Sequence, residues 1–344
     1  MHTTNTSPSQ RLIPFFLLLP LFLWLSPARA QAGDATASSA DTGLYAKAGI
    51  SLYLIDLPEY LPLWNRIDQD KGDRLSTFDE TVTAPMTQIA LGWGKSGGQF
   101  VEVRGGFAES NPVKEGAYSP YGDYTKVGYF PVSGNNSGFG GAGTAGTAYT
   151  RTELQFRQLV GELIAGTQCA AWGPGLELFA GYWGMKLDQE YSVDYHSSTG
   201  DRMTLSDDAE ATYNGVLFGI RLIRQAGPVK LSLETTQGVG AVSASYDSRM
   251  NSNAQGGKSS ISQTENDFAY RGTLDGTISA NVWNKLDIGL KGGLQYLSYV
   301  PQILGSGQGY RSIKEPSYGP AGPAHIRGKS SLAGSLGLDL TYSF

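Results

Sequence analysis

Apolar and polar residues alternate one by one over much of this chain, the pattern of strands whose two faces meet different surroundings. In 44–55, Leu44, Ala46, Ala48, Ile50, Leu52 and Leu54 share one face, and Tyr45, Lys47, Gly49, Ser51 and Tyr53 the other. The same period predicts further strands over about 86–95, 99–108, 151–165, 176–191, 211–224, 229–246, 267–283, 286–300 and 329–344. In 151–165 Leu154 and Phe156 oppose Glu153, Gln155 and Arg157, and the phase slips near Gln158, which predicts a bulge. The phase of 176–191 is ambiguous, because Phe179, Trp183 and Met185 compete with Leu178, Ala180 and Tyr182.

The segments between these strands alternate in length. Those at 56–85, 109–150, 192–210, 247–266 and 301–328 are long and polar, and those at 96–98, 166–175, 225–228 and 284–285 are short. Every long connection falls at one end of an up-and-down arrangement and every short one at the other, as in transmembrane barrels. The expectation is an all-β, antiparallel up-and-down transmembrane β-barrel of about ten strands, or twelve if 109–150 contains a hairpin. No repeat of 20–50 residues and no amphipathic helix is visible.

Alternation alone does not say which face meets lipid. The polar face carries Lys47, Glu102, Arg104, Glu153, Arg157, Arg221, Lys230, Glu234, Arg271, Asp275, Asp287, Lys291 and Asp339, seven basic and six acidic residues. Charges so nearly balanced are suited to pairing inside a lumen, so the apolar face is expected to point outward. Trp93, Trp172 and Trp283 near the short turns, with Tyr246, Tyr270 and Tyr299 near the long loops, are expected to form the two interfacial girdles.

The N-terminus changes the picture of location. Arg11 precedes an apolar run at 12–25, and Ala28-Arg29-Ala30 has the form of a cleavage site. Residues 1–30 are therefore read as an export signal, 31–42 as a periplasmic lead-in and 43–344 as the barrel. The run is too short for a spanning helix and holds Pro14 and Pro20. Without Arg11 and Arg29 the formal net charge goes from -5 to -7, which argues against nucleic acid as a partner. Cys169 is the single cysteine, so no intrachain disulfide forms. No stretch after residue 30 reaches spanning-helix length and the mean hydropathy is -0.23, which excludes a helical membrane protein but not a barrel.

In the final strand Leu332, Leu336, Leu338, Leu340, Tyr342 and Phe344 are in phase, and Phe344 is the last residue. This resembles the C-terminal signal of bacterial outer-membrane β-barrels, carried here by Leu338, Leu340, Tyr342 and Phe344. The resemblance, porin-like in its broad sense, extends over the whole mature chain and implies placement in the outer membrane. It also implies outer-membrane lipid and the barrel insertion machinery as partners. No narrower family is indicated.

Candidate chemistry is sparse. Gly138-Phe139-Gly140-Gly141-Ala142-Gly143 matches G-x-G-x-x-G but lacks the strand and helix a dinucleotide needs, so no cofactor is expected. His196 and His325 lack the carboxylate spacing of a metal site. Asp194 with His196, facing Asp207-Asp208 or Asp79-Glu80, offers a barrel-mouth hydrolase similar to the omptins. Ten strands enclose little more than eight, whose side chains fill the interior. The leading expectation is therefore a non-enzymatic, small porin-like or structural barrel with a narrow, charge-lined lumen. A surface adhesin or receptor acting through its long loops is the alternative, with small solutes or extracellular ligands as candidate partners.

Overall fold

The computed structural model describes residues 43–68, 71–78, 81–95, 98–119, 148–169, 175–198, 200, 202–253, 258–283, 285–304 and 325–344. The expected signal and lead-in, Asp79, Glu80, Trp172 and the 138–143 stretch lie outside them. In chain order the strands are β1 (Gly43–Asp56), β2 (Tyr60–Asp68), β3 (Lys71–Phe78), β4 (Thr81–Gly94), β5 (Gln99–Glu109), β6 (Val113–Ser119) and β7 (Ala148–Gln168). They continue as β8 (Leu176–Ser197), β9 (Arg202–Ala226), β10 (Val229–Ser252), β11 (Lys258–Trp283), β12 (Leu286–Leu304) and β13 (His325–Ser343).

Ten of these close a ring in the order β1, β4, β5, β7, β8, β9, β10, β11, β12, β13 and back to β1, each antiparallel to the next. The chain forms a transmembrane antiparallel up-and-down β-barrel. Of the three remaining strands, β2 and β3 pair with each other, and β2 also meets the end of β12 at Leu304. The 109–150 connection contributes β6, which pairs with β7 above β5 and adds no member to the ring. Between them the Ser110 hydroxyl accepts the Phe156 N–H at 3.0 Å, filling the gap in the ladder.

Following partners round the ring from Asn281 through Asp287, Thr341, Lys47, Ala90, Arg104, Glu162, Trp183, Gly215 and Gly240 returns to β11 at Ala269. The stagger is thus 12 residues. With ten strands this tilts each strand by roughly 40° to the axis. The tight turns at the short end are glycine-dependent; Gly227, at φ +62°, reverses the chain between β9 and β10.

Where pairing runs in unbroken register, as between β7 and β8, each face keeps its direction while its chemistry inverts along the axis. Toward the short turns the outward residues are apolar and exposed, among them Ile50, Leu91, Val103, Leu163, Phe218, Leu290 and Leu338. On β13 this row runs from Leu332 to Phe344, roughly 30 Å along the axis at that tilt, enough to cover the apolar band of a barrel. Nearer the long-loop end the exterior becomes ionic, with Arg151, Lys186, Asp188, Asp208, Glu210 and Asp247. There the interior is mostly apolar and buried: Leu154, Phe156, Leu187, Val193, Tyr213 and Val300 are 0% exposed, with Gln189 and Asp207 buried among them. The upper wall is packed like a soluble barrel, and the lower wall like a membrane barrel.

This inversion corrects several sequence expectations. The segments 192–210 and 247–266 are mostly strand, since β8 runs to Ser197, β9 starts at Arg202, β10 ends at Ser252 and β11 starts at Lys258. No bulge occurs at Gln158; β7 pairs with β8 in one unbroken register from Ala148 to Gln168. The slip in pattern is the point where apolar residues move from outside to inside. Register does shift in β11 between Asn281 and Trp283, and in β12 between Leu297 and Val300. Tyr246 and Tyr299 are not girdle residues, being buried inside, whereas Trp93 and Trp283 are exposed. The strand of ambiguous phase, β8, is apolar on both faces: Phe179, Trp183 and Met185 point inward and Tyr182 outward.

Beyond its register shift β12 bends into the barrel. Tyr213 donates to the Tyr299 carbonyl at 2.8 Å, and the Gln189 amide to the Pro301 carbonyl at 3.1 Å. Among the described residues, β11 above Arg271 therefore pairs with β10 alone.

Because Phe218 and Ser206 both point outward on β9, they separate the two environments. Phe218→Lys is expected to destabilise the barrel by roughly 2–4 kcal/mol in urea titrations from lipid vesicles. Ser206→Lys is expected to stay within about 0.5 kcal/mol. Equal effects would show that the apolar band lies elsewhere.

Candidate functional site

The lower lumen is crossed by a lattice of buried charges. Arg221 on β9 is one hub: its Nε donates to Glu234 at 2.6 Å, Nη1 to Glu177 at 3.1 Å and Nη2 to Glu102 at 3.3 Å. Arg104 on β5 is the other. It donates to both oxygens of Glu234, at 2.5 and 3.0 Å, to Glu162 at 3.3 Å and to Glu102. Lys47 reaches Glu102 at 3.2 Å, and Arg271 reaches Glu162 at 2.6 Å. Four cations thus meet four carboxylates contributed by seven of the ten wall strands. Both hubs are stacked: Arg221 lies 5.2 Å from the Phe100 ring and 5.7 Å from Phe179, and Arg104 5.6 Å from Phe179. Arginine suits such positions because it remains charged when desolvated and offers several donors in one plane.

Small residues make room for the large ones. The Tyr45 hydroxyl donates to Glu102 at 2.5 Å. Its ring crosses Gly92, where an added Cβ would sit 2.1 Å from it. The Trp183 indole lies over Gly215 and Gly238 in the same way, each with an added Cβ 2.8 Å from Nε1.

The structure places Lys47, Glu102, Arg104, Arg221, Glu234, Arg271, Asp275, Lys291 and Asp339 around one cavity of roughly 180 Å³. Lys230 and Asp287 line a smaller hollow of roughly 110 Å³ toward the short turns, also bordered by Asp339. Glu153 and Arg157 are not lumenal. Leu154 and Phe156 point inward at that height, so their neighbours face out. Glu153 pairs there with Lys114 at 3.2 Å and Arg151 at 3.0 Å, and Arg157 pairs with Glu190. Glu162 and Glu177 were missed. Glu162 stands alone in Val160-Gly161-Glu162-Leu163-Ile164, and a lone carboxylate in an apolar strand has the lumen as its only polar outlet.

Among the described residues the candidate hydrolytic side chains do not converge. Asp194 and His196 both point outward from β8 and are exposed. Asp207 points inward, fully buried, and accepts the Tyr60 hydroxyl at 2.6 Å and the Tyr246 hydroxyl at 3.1 Å. Asp208 faces outward; partial burial, with Glu190 and Asp247 nearby, raises its pKa against the opposing pull of Arg249. Among the described residues no group of three or more His, Cys, Asp or Glu could hold a metal ion. The C-terminal residues Leu338, Leu340, Tyr342 and Phe344 all lie exposed on the outer face. The Phe344 N–H closes onto the Leu44 carbonyl at 3.0 Å.

Glu234→Gln removes a charge shared by both hubs while leaving Arg104 and Arg221 buried. It is expected to cost roughly 3–5 kcal/mol of stability, read from urea unfolding in vesicles. Glu153→Gln, on the exposed exterior, is expected to cost under about 1 kcal/mol; the reverse order would contradict the lattice.

No protein-family model matches the chain, and no curated protein sequence matches it. Among solved structures, the outer membrane protease OmpT from Escherichia coli is similar over 90% of this chain and 99% of its own, at 12% identity and a TM-score of 0.46. The translocator domain of the autotransporter NalP from Neisseria meningitidis is similar over 90% of this chain and 91% of its own, at 10% identity and a TM-score of 0.38. A FadL homologue from Pseudomonas aeruginosa is similar over 88% and 90%, at 9% identity and a TM-score of 0.30. Likenesses this distant carry no argument about what the chain does; its fold rests on its own strand pairing.

Proposed function

We propose that this chain is a structural barrel of the bacterial outer membrane that conducts no solute and holds a β-walled turret above the lipid. The observation that carries this reading is the closed upper lumen. Leu154, Phe156, Leu187, Tyr213 and Val300 fill it as a packed core, all at 0% exposure. A hydrated path needs polar walls and open width, and a ten-strand ring lies far below the 16–18 strands that leave an aqueous channel. The three connections that stay long, from β1 to β4, β5 to β7 and β12 to β13, lie at one end and favour an orientation with the other end in the periplasm and the turret outside. Beyond the apolar band β8 continues from Lys186 to Ser197, raising the turret by roughly 25 Å.

The turret favours surface recognition over transport as the barrel's task. Its charged exterior stands clear of the membrane on a rigid hydrogen-bonded wall, a better platform for a partner than free loops. The exposed in-phase residues Leu338, Leu340, Tyr342 and Phe344 support recognition by the insertion machinery. In planar bilayers the purified barrel is expected to give no discrete single-channel steps, and Arg104→Ala to remain silent as well. Regular steps in the unmodified barrel, with a size that changes in Arg104→Ala, would establish a conducting pore instead.

A further inference from the structure

Arg271 and Asp275, which both border the larger cavity, each have one ion-pair partner among the described residues. Arg104 and Arg221 each meet three carboxylates. Among the described residues Arg271 meets one carboxylate, Glu162, through Nη1, and its guanidinium lies 5.6 Å from the Trp183 ring. Its side chain is 9% exposed, and its buried Nε has no hydrogen-bond partner among the described residues. Asp275 has Lys291 for its ion-pair partner, at a long 3.6 Å. Arg271, Thr273 and Asp275 are successive inward positions of β11, and all three line the cavity. A buried donor left unmatched carries a desolvation cost that an acceptor relieves. The strand therefore presents a cation, a hydroxyl and an anion in a row.

We propose that this cavity binds a small zwitterion of the α-amino-acid class, its carboxylate on Arg271 and its ammonium toward Asp275. Charge decides for a zwitterion over a simple anion. Five basic and five acidic side chains line the cavity, so a lone anion or cation unbalances a desolvated site and a zwitterion does not. Size agrees. Arg271 and Asp275 are separated along the strand by about 13 Å between backbones. A compact amino acid with a hydrogen bond at each end spans about 8 Å.

Access is from the short-turn side. The smaller hollow shares Lys47, Arg221, Ser232, Thr277 and Asp339 with the cavity, while Tyr53 and the packed core lie on the other side. The site is a blind vestibule. Only the compartment it faces, the periplasm, rests on the orientation proposed above; binding itself does not.

The test uses the full-length barrel purified from outer membranes into detergent, titrated with free L-alanine. Saturation-transfer NMR and calorimetry provide the readouts, with acetate and methylammonium as half-ligands. Saturable L-alanine binding is expected, with each half-ligand at least about tenfold weaker. Arg271→Gln and Asp275→Asn should each weaken it by a similar factor. Absence of saturable binding up to about 10 mM would mean that water alone occupies the cavity and would overturn the proposal. Acetate binding as tightly as L-alanine would overturn it in favour of an anion site. If a variant fails to fold, the half-ligand comparison on the unmodified barrel still decides. Conductance steps in a bilayer would sink the closed-lumen reading, and the blind end of the vestibule with it, while ligand binding is decided by the titration.

Discussion

A hydrogen-bonded wall has no freedom to turn a side chain round. Once β7 and β8 are paired in unbroken register, each residue's direction follows from its parity, and a slip of one residue would reverse them all. The barrel passes through two solvents, so one fixed parity must serve opposite chemistries. The sequence answers by reversing which parity is apolar. In β9, Phe218, Ile220 and Leu222 are even-numbered and face out, whereas Met203, Leu205 and Tyr213 are odd-numbered and face in. The charged lattice, the buried turret core and the closed lumen all follow from where that reversal falls.

The lower lumen shows how a narrow cylinder is filled without grease. Lipid occupies the outside, so the inside takes the polar residues, and a ten-strand ring is small enough for arginine and glutamate to meet across it. Burying such charges is costly unless each finds several partners. Glu102 and Glu234 each accept from both arginine hubs, and the Phe100 and Phe179 rings lie against the guanidinium groups. The lattice cross-links strands far apart in the chain and holds the wall in one shape.

The ten strands, their antiparallel order and the outward face of β13 were legible because alternation is strict where lipid is on one side. Lys47, Glu102 and Arg104 were legible for the same reason. Glu153 and Arg157 were misplaced because Leu154 and Phe156 were taken to keep facing lipid, when at their height the apolar side had already moved indoors. The same assumption makes 192–210 a loop, although Met203, Leu205 and Ala209 share one phase that only Asp207 interrupts. Periodicity reports that two faces differ; it does not report which solvent each face meets. The convergence of Arg271, Thr273 and Asp275 on a cavity was not legible, because it depends on how β5 and β7 stand across the lumen, with Glu102, Arg104 and Glu162.

The seam between β1 and β13 has a consequence for assembly. Its two lips are paired from Tyr45 with Ser343 to Ile55 with Ala333, so roughly 300 residues of chain must be strung out before the cylinder can be sealed. Until then both lips are raw backbone edges, ready templates for a foreign strand. The seam is nonetheless a property of chain order and not of the wall. Joining the two ends and cutting instead at Gly227 would leave every neighbour in place, and would simply move the clasp to another pair of staves.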